Sequence, residues 1–164
     1  MRCGFLDIVM PAVSGIGNSG TVWILIALIF IAAKKHRITG IAMLTAMLMG
    51  LLIGNLTLKP LISRIRPCDI NTAVELLIPR PKDYSFPSGH TLSSFAAATV
   101  IFLGDRRLGV IAVILAAVIA FSRLYLYVHY PSDILGGIVI GVALGILAHK
   151  VIFKIIKISK RRKG

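Results

Sequence analysis

A chain of 164 residues, 57% of them hydrophobic and with a mean hydropathy of +0.88, carries more apolar surface than one soluble core of that size can bury. That excludes an ordinary soluble domain and makes the bilayer the natural solvent for the surplus. The net charge of +13 would suit nucleic acid, but the cations flank apolar runs, so no nucleic-acid partner is expected. Cys3 and Cys68 have no metal-site spacing, and whether they pair stays open.

Residues 1–16 mix Phe5, Leu6, Ile8, Val9 and Met10 with Arg2 and Asp7. They are too few to span a bilayer and are expected to form a short amphipathic helix in the interface. Five apolar runs follow, about Gly17–Ala33, Ile38–Leu58, Ser88–Leu103, Leu108–Tyr127 and Pro131–Ile152. The second has 21 residues and reaches about 30 Å at ~1.5 Å per residue, one hydrocarbon thickness. The expected fold is therefore all-α: a single membrane-embedded helical bundle of about five transmembrane helices plus the N-terminal interfacial helix. Residues 17–58 supply the first two spans, 59–87 an outer loop, 88–152 the last three spans, and 153–164 a basic tail. The loop is long for a plain connection, which marks it as functional. A short helix is one conformation open to Asn71–Ile78, and Pro79 and Pro81 force an extended stretch after it.

Charge sets the orientation. Lys34, Lys35, Arg37, Arg106, Arg107 and the cations from Lys150 to Lys163 lie on one side with Asp105 as the lone anion. On the other side, cations and anions nearly balance. The positive-inside rule then puts the amino terminus outside and the carboxyl terminus in the cytoplasm of a multi-pass cell-membrane protein. The first run ends in Lys34-Lys35-His36-Arg37, which reads as a cytoplasmic stop and not as a cleavable leader. Gly15-Ile-Gly17-Asn-Ser-Gly20 matches a dinucleotide-binding pattern by letter, but no strand precedes it and a span follows. Small residues easing the chain into the bilayer explain it better. Gly137, Gly141 and Gly145 repeat every four residues, a stripe suited to close helix packing, within the monomer before any dimer.

Three clusters fall at the outer end of the spans: Lys59-Pro-Leu-Ile-Ser-Arg64-Ile-Arg66-Pro67, Pro87-Ser88-Gly89-His90, and Ser122-Arg123 followed by His129 and Asp133. Singly, each has a plain explanation as snorkelling cations, a helix start or a solvated histidine. His36 and His149, on the inner side, keep that explanation. The convergence of three cations, two histidines and a carboxylate at one membrane end points instead to phosphoryl chemistry. Lys59, Arg66 and Arg123 suit the charge on equatorial phosphoryl oxygens. Ser88, Gly89 and His90 open a helix whose first N–H groups can meet an anion. His129 and Asp133 sit four apart, so the carboxylate can hold one ring nitrogen and leave the other to attack phosphorus. His90 can protonate the leaving oxygen. No acidic cluster calls for a metal, and no cofactor is expected.

Lys-x6-Arg-Pro, Pro-Ser-Gly-His and Ser-Arg-x5-His-x3-Asp, spanning Lys59 to Asp133, together resemble the signature of the type 2 phosphatidic acid phosphatase superfamily. That superfamily includes bacterial acid phosphatases, vanadium haloperoxidases and membrane lipid phosphatases. The resemblance implies that Lys59, Arg66, Ser88, Gly89 and Arg123 bind phosphate, that His129 becomes a phosphohistidine, that His90 is the acid and that Asp133 supports His129, without a metal. Membrane members usually have six spans. The five expected here resemble small bacterial members, several of which act on undecaprenyl diphosphate. The expected substrate is accordingly a lipid phosphate or diphosphate at the extracytoplasmic face, with undecaprenyl diphosphate ahead of phosphatidylglycerophosphate, phosphatidate and lipid A. A channel or transporter would place ionisable groups at mid-membrane, and none falls there.

Overall fold

The computed structural model describes residues 3–161. Arg2, Arg162 and Lys163, counted above among the flanking cations, lie outside the described residues. Among the described residues every regular element is a helix: α1 (Gly4–Ile16), a 3₁₀ turn (Asn18–Gly20), α2 (Thr21–Ala32), α3 (Arg37–Gly50), a π-helical segment (Leu51–Leu58), α4 (Lys59–Ile62), α5 (Pro67–Ile70), α6 (Gly89–Gly104), α7 (Arg106–Tyr125) and α8 (Pro131–Arg161).

Three helical stretches are long and apolar enough to cross a bilayer: Arg37–Ile70, Arg106–Tyr125 and Pro131–Ser159. Gly4–Ile16 and Asn18–Ala32 make a fourth if taken as one span bent by 44°. The expected first and third spans are short as helices. α2 has 12 residues and α6 has 16, the latter about 24 Å long at ~1.5 Å per residue. On length and composition the count is thus three to four. The expected short helix at Asn71–Ile78 is instead turn and irregular chain. The 59–87 segment holds two short helices, α4 and α5; in α5, Pro67 occupies the first position and so gives up an N–H that would lack a partner in any case.

α6 lies at the centre, against α3, α7 and α8. The glycine stripe of α8 makes this possible. A Cβ on Gly141 would come within 2.6 Å of the Leu92 carbonyl, and one on Gly145 within 2.8 Å of the Ala96 carbonyl. Small side chains continue the close approach inside the core, with Ala27, Ala42, Ala46, Ala96, Ala97, Ala116 and Ala148 all fully buried. Trp23 fills the remaining volume, its indole N–H donating to Ser94 Oγ at 2.9 Å. Outward, Leu28, Ile29, Leu52, Leu56, Ile111, Ile114 and Val139 are exposed, as a lipid-facing surface requires. Cys3 is exposed, Cys68 is buried and neither is oxidised to a disulfide.

Two local devices aim the site residues. The π-helical segment widens the turn ahead of Lys59 and so alters the direction in which the next side chains leave the helix; Lys59 ends 7% exposed. After α7, Tyr127 takes a left-handed conformation (φ 60°), a costly choice for a non-glycine residue, and the chain reverses so that Val128 and His129 turn inward.

Gly141→Ala should destabilise the bundle by about 1–3 kcal/mol, since the new methyl meets backbone that cannot yield. Gly15→Ala, with nothing within 4 Å of its Cβ, should be neutral or stabilising by about 0.5–1 kcal/mol. Thermal unfolding of both variants in detergent checks the contrast.

Candidate active site

The three clusters meet around one cavity of about 860 Å³. Lys59, Arg66, Gly89, His90, Arg123 and His129 are among the residues that line it. Ile24 on α2, with Leu44, Met47, Leu48 and Leu51 on the α3 stretch, line it too. The lining is therefore amphiphilic, with cations and imidazoles beside apolar side chains.

His129 is 4% exposed and contacted on both ring nitrogens. Arg66 Nη1 lies 3.1 Å from Nε2, and Asp133 Oδ2 lies 3.4 Å from Nδ1. A guanidinium only donates, so Nε2 accepts and the ring proton resides on Nδ1, directed at Asp133. The tautomer is thereby set with the Nε2 lone pair on the cationic side. Burial pushes the imidazole down to about 4; the hydrogen bond to Asp133 works against that shift and the charges of Arg66 and Arg123 add to it.

Asp133 is fully buried and carries more partners than the helical spacing suggests. Its Oδ2 also accepts from the Tyr130 N–H at 2.9 Å and from the Ser85 hydroxyl, and its Oδ1 accepts from Arg64 Nη1 at 2.8 Å. Arg64 in turn stacks over the Tyr130 ring at 4.1 Å.

All five N–H groups of Arg66 are engaged. Nε donates to the Asp83 carbonyl, Nη1 to the Val128 carbonyl and His129, and Nη2 to the Asp83 carboxylate at 2.7 Å and the Tyr84 carbonyl. Lys59 Nζ pairs with the same Asp83 carboxylate. Burial alone would raise the Asp83 carboxyl; the hydrogen bond and charge of Lys59, then those of Arg66, hold it at about 2. Arg123 donates to Ser14 Oγ and keeps a buried Nε–H with no acceptor among the described residues.

Among the residues expected to bind phosphate, Ser88 is placed differently. It is fully buried, its hydroxyl caps α6 at Thr91, and its own N–H donates to the Asp133 carbonyl at 3.2 Å. Its role in this geometry is to start α6 and tie that start to α8. Gly89 does line the cavity, and a Cβ there would lie 3.0 Å from Asn55 Oδ1.

The PAP2 superfamily model matches residues 39–157. The chain belongs to the PAP2 superfamily. It is 29% identical over 131 residues to an undecaprenyl-diphosphatase of Sulfolobus acidocaldarius, a match covering 79% of this chain and 63% of that protein. The chain thus spans about six tenths of that relative's length. The crystal structure of Aquifex aeolicus LpxE superposes with a TM-score of 0.80 at 28% identity, covering 91% of this chain and 88% of that one. A transmembrane PAP2 type phosphatidylglycerolphosphate phosphatase from Bacillus subtilis superposes with a TM-score of 0.75 at 26% identity, covering 94% and 80%.

Reading the PAP2 signature along the chain misses Asp83, Ser85, Arg64, Asn55, Ser14 and Asn18. Asp83 and Ser85 lie in the long loop of residues 59–87, whose length was the only signal. Arg64 sits inside the first cluster, where nothing in the spacing pairs it with Asp133. Asn55 precedes Lys59 by four residues, and its Oδ1 is buried without a partner among the described residues.

Two outcomes follow for this PAP2 site. Because burial depresses the His129 imidazole from 6.5 to about 4, its ¹⁵N resonances should stay those of a neutral Nδ1–H ring from pH 7 to 5, and change only near 4. An ordinary titration near 6.5 would contradict the geometry. Asp83→Asn removes a half-exposed anion from two cations, so inorganic phosphate should bind roughly five- to tenfold more tightly by calorimetry, a modest gain because solvent screens the carboxylate.

Proposed function

We propose that this protein is a metal-independent lipid phosphate phosphohydrolase acting through a phosphohistidine on His129. The observation that carries the reading is the amphiphilic cavity, lined both by His129, His90 and three cations and by apolar α2 and α3 side chains. Such a shape suits a phosphate head with a hydrocarbon tail, and cavities of this size bury most of a small ligand.

In this reading Lys59, Arg66 and Arg123 take the equatorial phosphoryl oxygens, aided by the first N–H groups of α6 at Gly89. Arg66 gives up its bond to His129 Nε2 as phosphate arrives. The Nε2 lone pair forms the N–P bond, the P–O bond to the lipid breaks, and His90 passes a proton to the departing oxygen. Asp133 accepts the Nδ1–H throughout and stabilises the charge that forms on the ring. Water then attacks the phosphohistidine while His90 takes its proton, and His129 and inorganic phosphate are released.

Undecaprenyl diphosphate is the substrate this reading puts first, since the Sulfolobus relative carries that activity in its name. The Bacillus structural neighbour supports a second reading, phosphatidylglycerophosphate, with phosphatidate and lipid A phosphates in the same class. The topology that goes with either has five passes, the site at the extracytoplasmic face and the basic tail in the cytoplasm, supported by the distribution of Lys and Arg.

A panel of these lipids, tested on the purified protein with radiolabelled phosphate, decides among them. Wild type should form an acid-labile phosphoenzyme and release phosphate fastest from undecaprenyl diphosphate. His129→Ala should do neither, and His90→Ala should turn over about 10²-fold more slowly. Far slower turnover on undecaprenyl diphosphate than on the glycerolipids would remove it as first choice. Strong inhibition by EDTA, reversed by a divalent ion, would refute the metal-free scheme.

A further inference from the structure

The glycine-rich turn between α1 and α2 has no part in the signature, yet it forms a wall of the cavity. Asn18 Oδ1 lies 3.0 Å from His90 Nε2. Gly17 is buried beside it, where a Cβ would come within 3.0 Å of His90 Cδ2 and 2.9 Å of Ile119 Cγ2. Its φ of −79° is open to any residue, so glycine is required here for space. One turn earlier, Ser14 meets Arg123.

The turn is held rigidly. Ser19 and Gly20 take successive left-handed conformations, at φ 52° and 69°. The Gly20 N–H bonds the Gly17 carbonyl at 3.1 Å, and Thr21 Oγ1 bonds the Asn18 carbonyl at 2.7 Å. α1 itself is anchored to the end of α7, where Tyr125 Oη donates to Asp7 at 2.7 Å and accepts from the Cys3 N–H at 3.1 Å. Met10 packs with Cys68, Leu126 and Val128 directly behind the His129 turn.

We infer that Asn18 is a positioning residue for His90, and that α1 and its following turn are a working wall of the active site rather than a membrane anchor alone. This rests on the reading of His90 as the proton donor. A histidine ring has a broad, roughly two-fold torsional preference about its Cβ–Cγ bond, so its nitrogens take the direction their partners impose. The carbonyl oxygen of Asn18 accepts the Nε2–H, which fixes where that proton sits and which way the ring faces. The arrangement parallels Asp133 on His129, with a neutral amide in place of a carboxylate. His90 is thus oriented by a charge-free partner.

The test is a double-mutant cycle on the full chain in detergent, with the best lipid substrate of the wild type and with p-nitrophenyl phosphate, whose leaving group departs without a proton. Asn18→Ala should lower kcat on the lipid about tenfold, a fraction of the full general-acid effect, while KM changes little. The loss should nearly vanish in the His90→Ala background and be small on the aryl phosphate. Asn18→Asp, which keeps an acceptor oxygen, should restore most of the lipid activity. Equal losses on both substrates, additivity with His90→Ala, or no loss at all would overturn the inference. If Asn18→Ala does not elute as a folded species, Asn18→Leu keeps the volume, removes the acceptor and enters the same cycle. A wild type that releases phosphate from no lipid would instead remove the reading of the site, and this inference with it.

Discussion

Arg66 has five N–H groups, and the protein engages every one. They reach the outer loop at Asp83 and Tyr84 and the α7–α8 turn at Val128 and His129, so a single guanidinium fastens two otherwise independent segments to the end of the α3–α4 stretch. A buried charge is tolerated only when it is paired and hydrogen-bonded, which makes each of these bonds a condition on the others. The same contact sets the tautomer of His129: a group that can only donate faces Nε2, and the lone pair has to be there.

The surrounding bundle is shaped by the opposite rule. In hydrocarbon, apolar contact alone gives little preference for one helix neighbour over another, so close backbone approach must do the work. The glycines of α8 seated on the carbonyls of α6, and the alanines around Trp23, provide it. α6 is held tightly enough that Gly89 and His90, at its first turn, keep their place relative to Arg123 and His129 on two other elements.

Electrostatically the site is a set of cations with an internal anion. Asp83 shares Lys59 and Arg66, the groups a phosphate would use, while Asp133 is satisfied separately by Arg64, Ser85, Tyr130 and His129. The two carboxylates therefore have different standing. Asp133 is fully buried and wholly engaged, whereas the Asp83 side chain is 56% exposed.

Much of this was legible in residue order. The all-helical fold, the membrane setting and the PAP2 family follow from apolar runs and from residue types at fixed spacings, because hydropathy and helical period act locally. The i, i+4 relation between His129 and Asp133 belongs to the same class. Residue order also left local roles open: Ser88 has the type and position of a phosphate ligand, and its hydroxyl caps α6. The spans expected at Gly17–Ala33 and Ser88–Leu103 fold as helices too short to be counted by length. What only the tertiary structure decided are the partners that lie far apart along the chain: Arg64 on Asp133, Asp83 on Lys59 and Arg66, Ser14 on Arg123, Asn18 on His90. The physical reason is the same for all of them. A charge or ring nitrogen needs a partner at hydrogen-bonding distance, and which chain segment supplies it is set by how the helices pack, not by any pattern within the segment itself.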